Sequence, residues 1–204
     1  MPIMPASALL IVDMQKDFCA GGALPVSRAN QLIPVLNLYV DVFLQASQRI
    51  YAARVWHPTH SRKFLTAGGP WPVHAVRQTD GAGFHPELKL PEDALVISKG
   101  QGEHDTGYSC FEGTTESGVT FLEVLKRDTV EELFVGGVMT DYSIRATVLD
   151  ARARRVTVTV LLDAIRGLQQ HADDVEDALR EMEFAGAGFA TLQTIHARLG
   201  IPPR

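Results

Sequence analysis

The strongest constraint in this chain is an alternation. Short apolar runs recur at 8–12 (ALLIV), 50–55 (IYAARV), 94–98 (ALVIS), 131–136 (EELFVG), 156–162 (VTVTVLL) and, more weakly, 188–192 (GFATL). Between them lie longer stretches that read as helices, at 28–47, 116–126, 142–153, 172–184 and 191–199. In the segment from 142, Ile144, Val148 and Ala151 fall on one helical face. Nearly continuous apolar strands are those of a sheet buried on both faces, and parallel strands need crossover helices to connect them. The expected fold is therefore a three-layer α/β/α arrangement around a doubly wound, mostly parallel sheet of about six strands. A length of 204 residues fits one such domain spanning 1–204. The stretch 56–93 is rich in Gly, Pro and His and too long for a plain connection, so it reads as a functional insertion.

Charge and cysteine content narrow the function classes. The formal net charge of -5 disfavours a nucleic-acid partner. Two cysteines, Cys19 and Cys110, point to a reducing compartment, the cytoplasm, without a disulfide framework. The opening MPIMPASALLIVDMQ has no basic segment, and Asp13 interrupts its apolar run, so it does not read as a signal peptide. No apolar stretch reaches membrane-spanning length.

In open parallel sheets, ligands bind beyond the carboxyl ends of the strands. Four segments place a chemically useful side chain there: Asp13 after LLIV, His57 after YAARVW, Lys99 after LVIS, and Ser143 soon after ELFVGGV. A carboxylate beside a nucleophile can take its proton and pass it to a leaving amine. A neighbouring lysine would hold that carboxylate ionised. At a helix start, Ser143 would gain from the positive dipole end and from free N–H groups able to hold an oxyanion. The same residues also admit plainer roles. Asp13 and Lys99 could be a structural ion pair, and Ser143 a first-turn serine in a helix capped by Thr140 or Asp141.

The motifs, taken in order, resemble the isochorismatase-like cysteine hydrolases, and within them the nicotinamidases. The segments are ALLIVDMQKDFCAGGALPV, VWHPTHSRKF, GPWPVHAV, GAGFHPEL, VISKG, GYSCFEG and ELFVGGVMTDYSIRATVLDARARRVTVTVLLDAIRG. The resemblance implies that Asp13 is the general acid/base and Lys99 its partner. It implies a cis peptide between Val138 and Met139, with the N–H groups of Met139 and Ser143 forming an oxyanion hole. Phe18, Trp71 and Tyr108 match aromatic positions that sandwich a flat ring. Ser143 stands where the family carries its nucleophilic cysteine.

The metal site implied by the resemblance, for a divalent ion such as Zn or Fe, is altered. His57 and His74 match, His60 lies one residue short of the second histidine position, and Val55 replaces an aspartate. The resemblance implies hydrolysis of an amide C–N bond in a small nicotinamide-like molecule, by a homo-oligomer with no membrane partner. Two alternatives stay open. One is vinyl-ether hydrolysis, needing Asp13 and Lys99 but no nucleophile. The other is a small-molecule-binding protein that has lost turnover.

Overall fold

The computed structural model describes residues 6–199. Six parallel strands form one sheet: β1 (Ser7–Val12), β2 (Arg49–Val55), β3 (Leu95–Lys99), β4 (Glu132–Val138), β5 (Thr157–Arg166) and β6 (Gly188–Ala190), in the order β3-β2-β1-β4-β5-β6. The connecting helices are α1 (Leu32–Gln45), α2 (Phe121–Arg127), α3 (Arg145–Ala153), α4 (Asp174–Phe184) and α5 (Leu192–Leu199). Every residue of β1 is buried. Its side chains divide with a period of two between two cores. Leu9 and Ile11 join Leu36, Phe43, Phe134 and Ile195, while Ala8, Leu10 and Val12 join Phe121, Val135, Val148 and Met182. The continuous apolar run is thus a strand covered on both faces, as expected.

Several element ends differ from the sequence reading, each for a local reason. The helix expected from 116 begins at Phe121. Thr120 caps it by accepting from the Glu123 N–H, and the Glu123 carboxylate accepts from the Thr120 N–H in return. The strand expected to stop at 162 continues to Arg166, because β5 pairs again with β4 at Gly137 and Val138 after an irregularity in register. The helix expected from 142 is preceded by a π-helical turn, Thr140–Ile144, so Ser143 lies in a wider turn than an α-helical start provides. Neither expected cap acts as one. The Asp141 carboxylate accepts from Leu168 N–H (2.9 Å) and Gln169 N–H (2.7 Å), while Thr140 Oγ1 is buried without a hydrogen-bond partner.

The chain leaves β1 toward β2 on one side and enters the other half of the sheet at β4, so the carboxyl ends of β1 and β4 flank the topological switch point. Gly137 makes their close approach there. It has φ of +119°, and a Cβ at that position would lie 2.1 Å from the Val12 carbonyl oxygen.

Candidate active site

Asp13 directly follows β1, Lys99 is the last residue of β3, and Ser143 lies in the turn after β4. All three are wholly buried, and their polar atoms meet. Lys99 Nζ donates to Asp13 Oδ2 at 2.8 Å, to the Gly107 carbonyl at 2.7 Å and to Ser143 Oγ at 3.2 Å. Those contacts use all three donors of an ammonium group. They also fix Ser143 Oγ as an acceptor, leaving its own hydrogen free to be given elsewhere. Asp13 Oδ1 is buried with no hydrogen-bond partner. Burial pushes the Asp13 carboxyl above its ordinary value, while the Lys99 ammonium and, less strongly, the Ser143 hydroxyl pull it back. Asp13 adopts φ of +54°, a left-handed conformation that aspartate tolerates better than most residues. The peptide between Val138 and Met139 is cis, as the resemblance implied.

The cavity beside this cluster is lined by Ser143, Met139, Gly107, Val55, Leu24 and the side chains of the long loops: His57, Lys63, Trp71, His74, Thr106 and Tyr108. Its free volume is about 20 Å³, room for about one water molecule. Trp71 Nε1 donates to Tyr108 Oη at 3.0 Å, and Tyr142 packs against both rings, with centroids 5.2 Å from Trp71 and 5.5 Å from Tyr108. A far larger cleft, about 390 Å³, opens among Gln48, Arg49, Tyr51 and Asp128 at the amino end of the sheet. There the Tyr51 hydroxyl donates to Asp128, which also pairs with Arg127. That cleft brings no nucleophile to an acid/base group, so chemistry rather than size locates the site.

Two expected site residues sit differently from the sequence reading. Phe18 is wholly buried and packs edge-on against the His74 ring, centroids 5.6 Å apart, and it is not part of the cavity wall. His60 is exposed, and the residue turned inward is its neighbour Ser61, whose Oγ accepts from the Lys63 N–H. Val55 is buried and apolar where the resemblance places a carboxylate.

His57 and His74 do meet, edge to face, with centroids 5.2 Å apart. Each ring is fixed through Nδ1, by the Gly100 carbonyl at 3.0 Å and the Pro72 carbonyl at 2.7 Å respectively. Burial holds both imidazoles neutral, with His57 lowered to about 4. Two imidazoles fall short of the three protein ligands of a catalytic zinc site. Among the described residues no third His, Cys, Asp or Glu completes such a group. The donors present do not fit a divalent metal centre.

The sequence reading missed Lys63, which lines the cavity, and Tyr142, which packs against the Trp71 and Tyr108 rings. Tyr142 had a usable signal, because it adjoins Ser143 in the same turn. Lys63 had none beyond lying in the long His-containing loop.

Residues 7–196 match the model of the isochorismatase domain. The chain belongs to the isochorismatase family. It is 35% identical over 205 residues to a nicotinamidase of Escherichia coli (strain K12), covering 93% of this chain and 96% of that protein. It is likewise 35% identical over 185 residues to a nicotinamidase/pyrazinamidase of Mycobacterium tuberculosis, covering 87% and 95%. A solved structure of a Pyrococcus horikoshii pyrazinamidase in complex with zinc superposes with a TM-score of 0.84 at 40% identity, covering 92% of this chain and all of that one. Family membership accounts for the order of motifs from the Asp13 strand to the Ser143 turn. It leaves the roles of individual side chains to be argued from their geometry.

Proposed function

We propose that this isochorismatase-family hydrolase cuts the C–N bond of a small aromatic amide of the nicotinamide type. The observation that carries the reading is the buried Asp13–Lys99 pair held against Ser143. The relatives named as nicotinamidases supply the substrate class. Ser143 Oγ attacks the amide carbonyl, and its proton passes to Asp13. The Met139 and Ser143 N–H groups receive the oxyanion. Collapse of the tetrahedral adduct expels the amine, which takes the proton back from Asp13 and leaves as ammonia. Water, deprotonated by Asp13, then cleaves the seryl ester and releases the acid. Lys99 holds Asp13 in place and stabilises its charged form. The substrate ring packs against Trp71 and Tyr108, with Tyr142 buttressing both rings and Phe18 supporting His74 from behind. We read the protein as a single-domain cytoplasmic enzyme, consistent with two free buried thiols, and as a homo-oligomer on family resemblance.

One observation favours a second reading. Burial favours the protonated form of Asp13, which suits it to protonating a vinyl ether, a reaction that needs no nucleophilic side chain. Ammonia release separates the two. The wild-type chain and Ser143→Cys should release ammonia from nicotinamide or pyrazinamide, and Asp13→Asn should not. Folded wild-type and Ser143→Cys proteins that release none from a panel of aromatic amides would end the amidase reading.

A further inference from the structure

We propose that Lys63 is the anion-binding group of this pocket, and that the preferred substrate is an aromatic amide carrying a carboxylate as well as the scissile amide. The inference rests on the amide-hydrolase reading above and narrows it to a substrate class. It starts from the charges around the cavity. The Asp13 carboxylate is neutralised by Lys99. His57 and His74 each have one ring nitrogen fixed on a backbone carbonyl and lie among the rings of Phe18 and Phe64, an environment that disfavours charge.

Lys63 is different. It lines the cavity, it is half-buried, and no carboxylate pairs with it among the described residues. Its ammonium instead sits over the Tyr108 ring, 4.6 Å from the centroid. A ring face attracts a cation without neutralising it. Tyr108 is itself held by the Trp71 indole N–H, so the cation rests on a fixed platform. The cavity therefore carries one uncompensated positive charge on the same wall as the aromatic residues proposed to receive the substrate ring.

Such a charge disfavours a second cation and favours an anion. Val55 and Ser61 turn inward where metal-ligating side chains would be needed, so the wall offers an ammonium group where a metal ion is not supported. The limited free volume admits a single-ring substrate only if a side chain moves. Lys63, on a flexible half-exposed stem, can leave the Tyr108 face to meet a carboxylate while the ring takes its place.

Isothermal titration of the full chain in a Ser143→Ala background tests this, because that background lacks the nucleophile and so stops turnover while keeping the Asp13–Lys99 pair; wild type here denotes Lys63 in that background. The probes are benzamide, benzoate and the monoamide of isophthalic acid, and the variants are Lys63→Met and Lys63→Arg. A charge-assisted hydrogen bond predicts that wild type binds the monoamide roughly 10- to 100-fold more tightly than benzamide, and that benzoate also binds. Lys63→Met should bring that preference to within about twofold, and Lys63→Arg should keep most of it. Equal binding of the monoamide and benzamide by wild type, a preference that survives in Lys63→Met, or no detectable benzoate binding would each overturn the proposal. Its failure is distinct from failure of the amidase reading. Ammonia release from neutral amides without an anion preference removes the role of Lys63 and leaves the amidase standing. An anion preference that depends on Lys63, with no amide cleaved, does the reverse.

Discussion

Substituting Lys99→Met, Asp13→Asn and both together separates the coupling within the buried pair from the cost of burying it. The two charges lie 2.8 Å apart with both side chains fully buried. At an effective dielectric of about 20, unit charges at that separation attract by about 6 kcal/mol. Desolvation offsets much of this, so removing one partner should cost about 3–5 kcal/mol. Lys99→Met belongs at the upper end at neutral pH, because Asp13 Oδ1 already lacks a partner and Oδ2 then loses its Lys99 donor. Asp13→Asn should cost about 3 kcal/mol. Asparagine tolerates the left-handed backbone, and Lys99 keeps the Gly107 carbonyl and Ser143 Oγ as acceptors. The double variant buries no charge there, so it should be less destabilised than the sum of the single variants by about 2–3 kcal/mol.

The sign of the pH dependence follows from Asp13. Its folded-state value is raised above the ordinary 3.8, so the fold favours the protonated carboxyl. That contribution to stability is fully present below the unfolded value and is lost as pH rises through the folded one. Removing Lys99 takes away the main influence pulling the value down and raises it further. The deficit of Lys99→Met relative to wild type should therefore be largest near about pH 7 and shrink toward about pH 4. Urea unfolding at both pH values, with shared slopes, measures all four proteins. Single effects that add to within about 0.5 kcal/mol, or a Lys99→Met deficit that grows on acidification, would refute this account of the pair.

Three further outcomes are expected. Ser143→Cys should raise ammonia release from aromatic amides by about two orders of magnitude or more, because a thiolate is far more nucleophilic than a serine hydroxyl. Equal rates for the two proteins would remove Ser143 from the chemistry. Thr120→Ala opens the reciprocal cap of α2 and should lower stability by about 1 kcal/mol in urea unfolding while leaving ligand binding intact; no measurable loss would contradict the capping geometry. Val55→Asp puts a carboxylate near His57 and His74, and zinc should then raise its melting temperature while leaving the wild type unmoved; a wild-type chain stabilised by stoichiometric zinc would overturn the reading of the donor set.

The sheet was legible because its signal is local and repeated. Apolar runs of strand length, punctuated by helices, leave few alternatives, and the strand-end rule then located Asp13, Lys99 and Ser143. What escaped lies where tertiary contacts override sequence pattern. The loop from 56 to 93 is shaped by single contacts across long separations. Asp17 Oδ2 accepts from the Ala75 N–H, Phe64 bridges to Trp71, and His57 bridges to Val76. Motif spacing alone could not say that Ser61 rather than His60 would turn inward, or that Phe18 would sit behind His74. The π-helical turn was equally hidden. TDYSI has no distinguishing pattern, and its geometry accompanies an Asp141 carboxylate bound to backbone some 27 residues away.

The same energetics separate the catalytic reading from that of a pocket which only binds. Apolar side chains of similar volume commonly match or exceed a buried ion pair in stability, so a pocket that merely held a ring would gain nothing from burying Asp13 against Lys99. Here the carboxylate is fully buried, sits on a left-handed backbone, and keeps one oxygen without a partner. Each of these features costs stability, and none contacts the aromatic wall that would hold a ligand ring. They suit proton transfer. An unpartnered carboxylate oxygen can accept a proton, burial brings its protonated and ionised forms closer in energy, and Lys99 keeps the group in place while it changes state. A binding protein could lose all three features and keep its pocket, whereas a hydrolase using Ser143 could not. The Asp13→Asn variant therefore carries more than a stability measurement: ligand affinity should survive in it while turnover disappears, and loss of both together would place Asp13 among the binding groups instead.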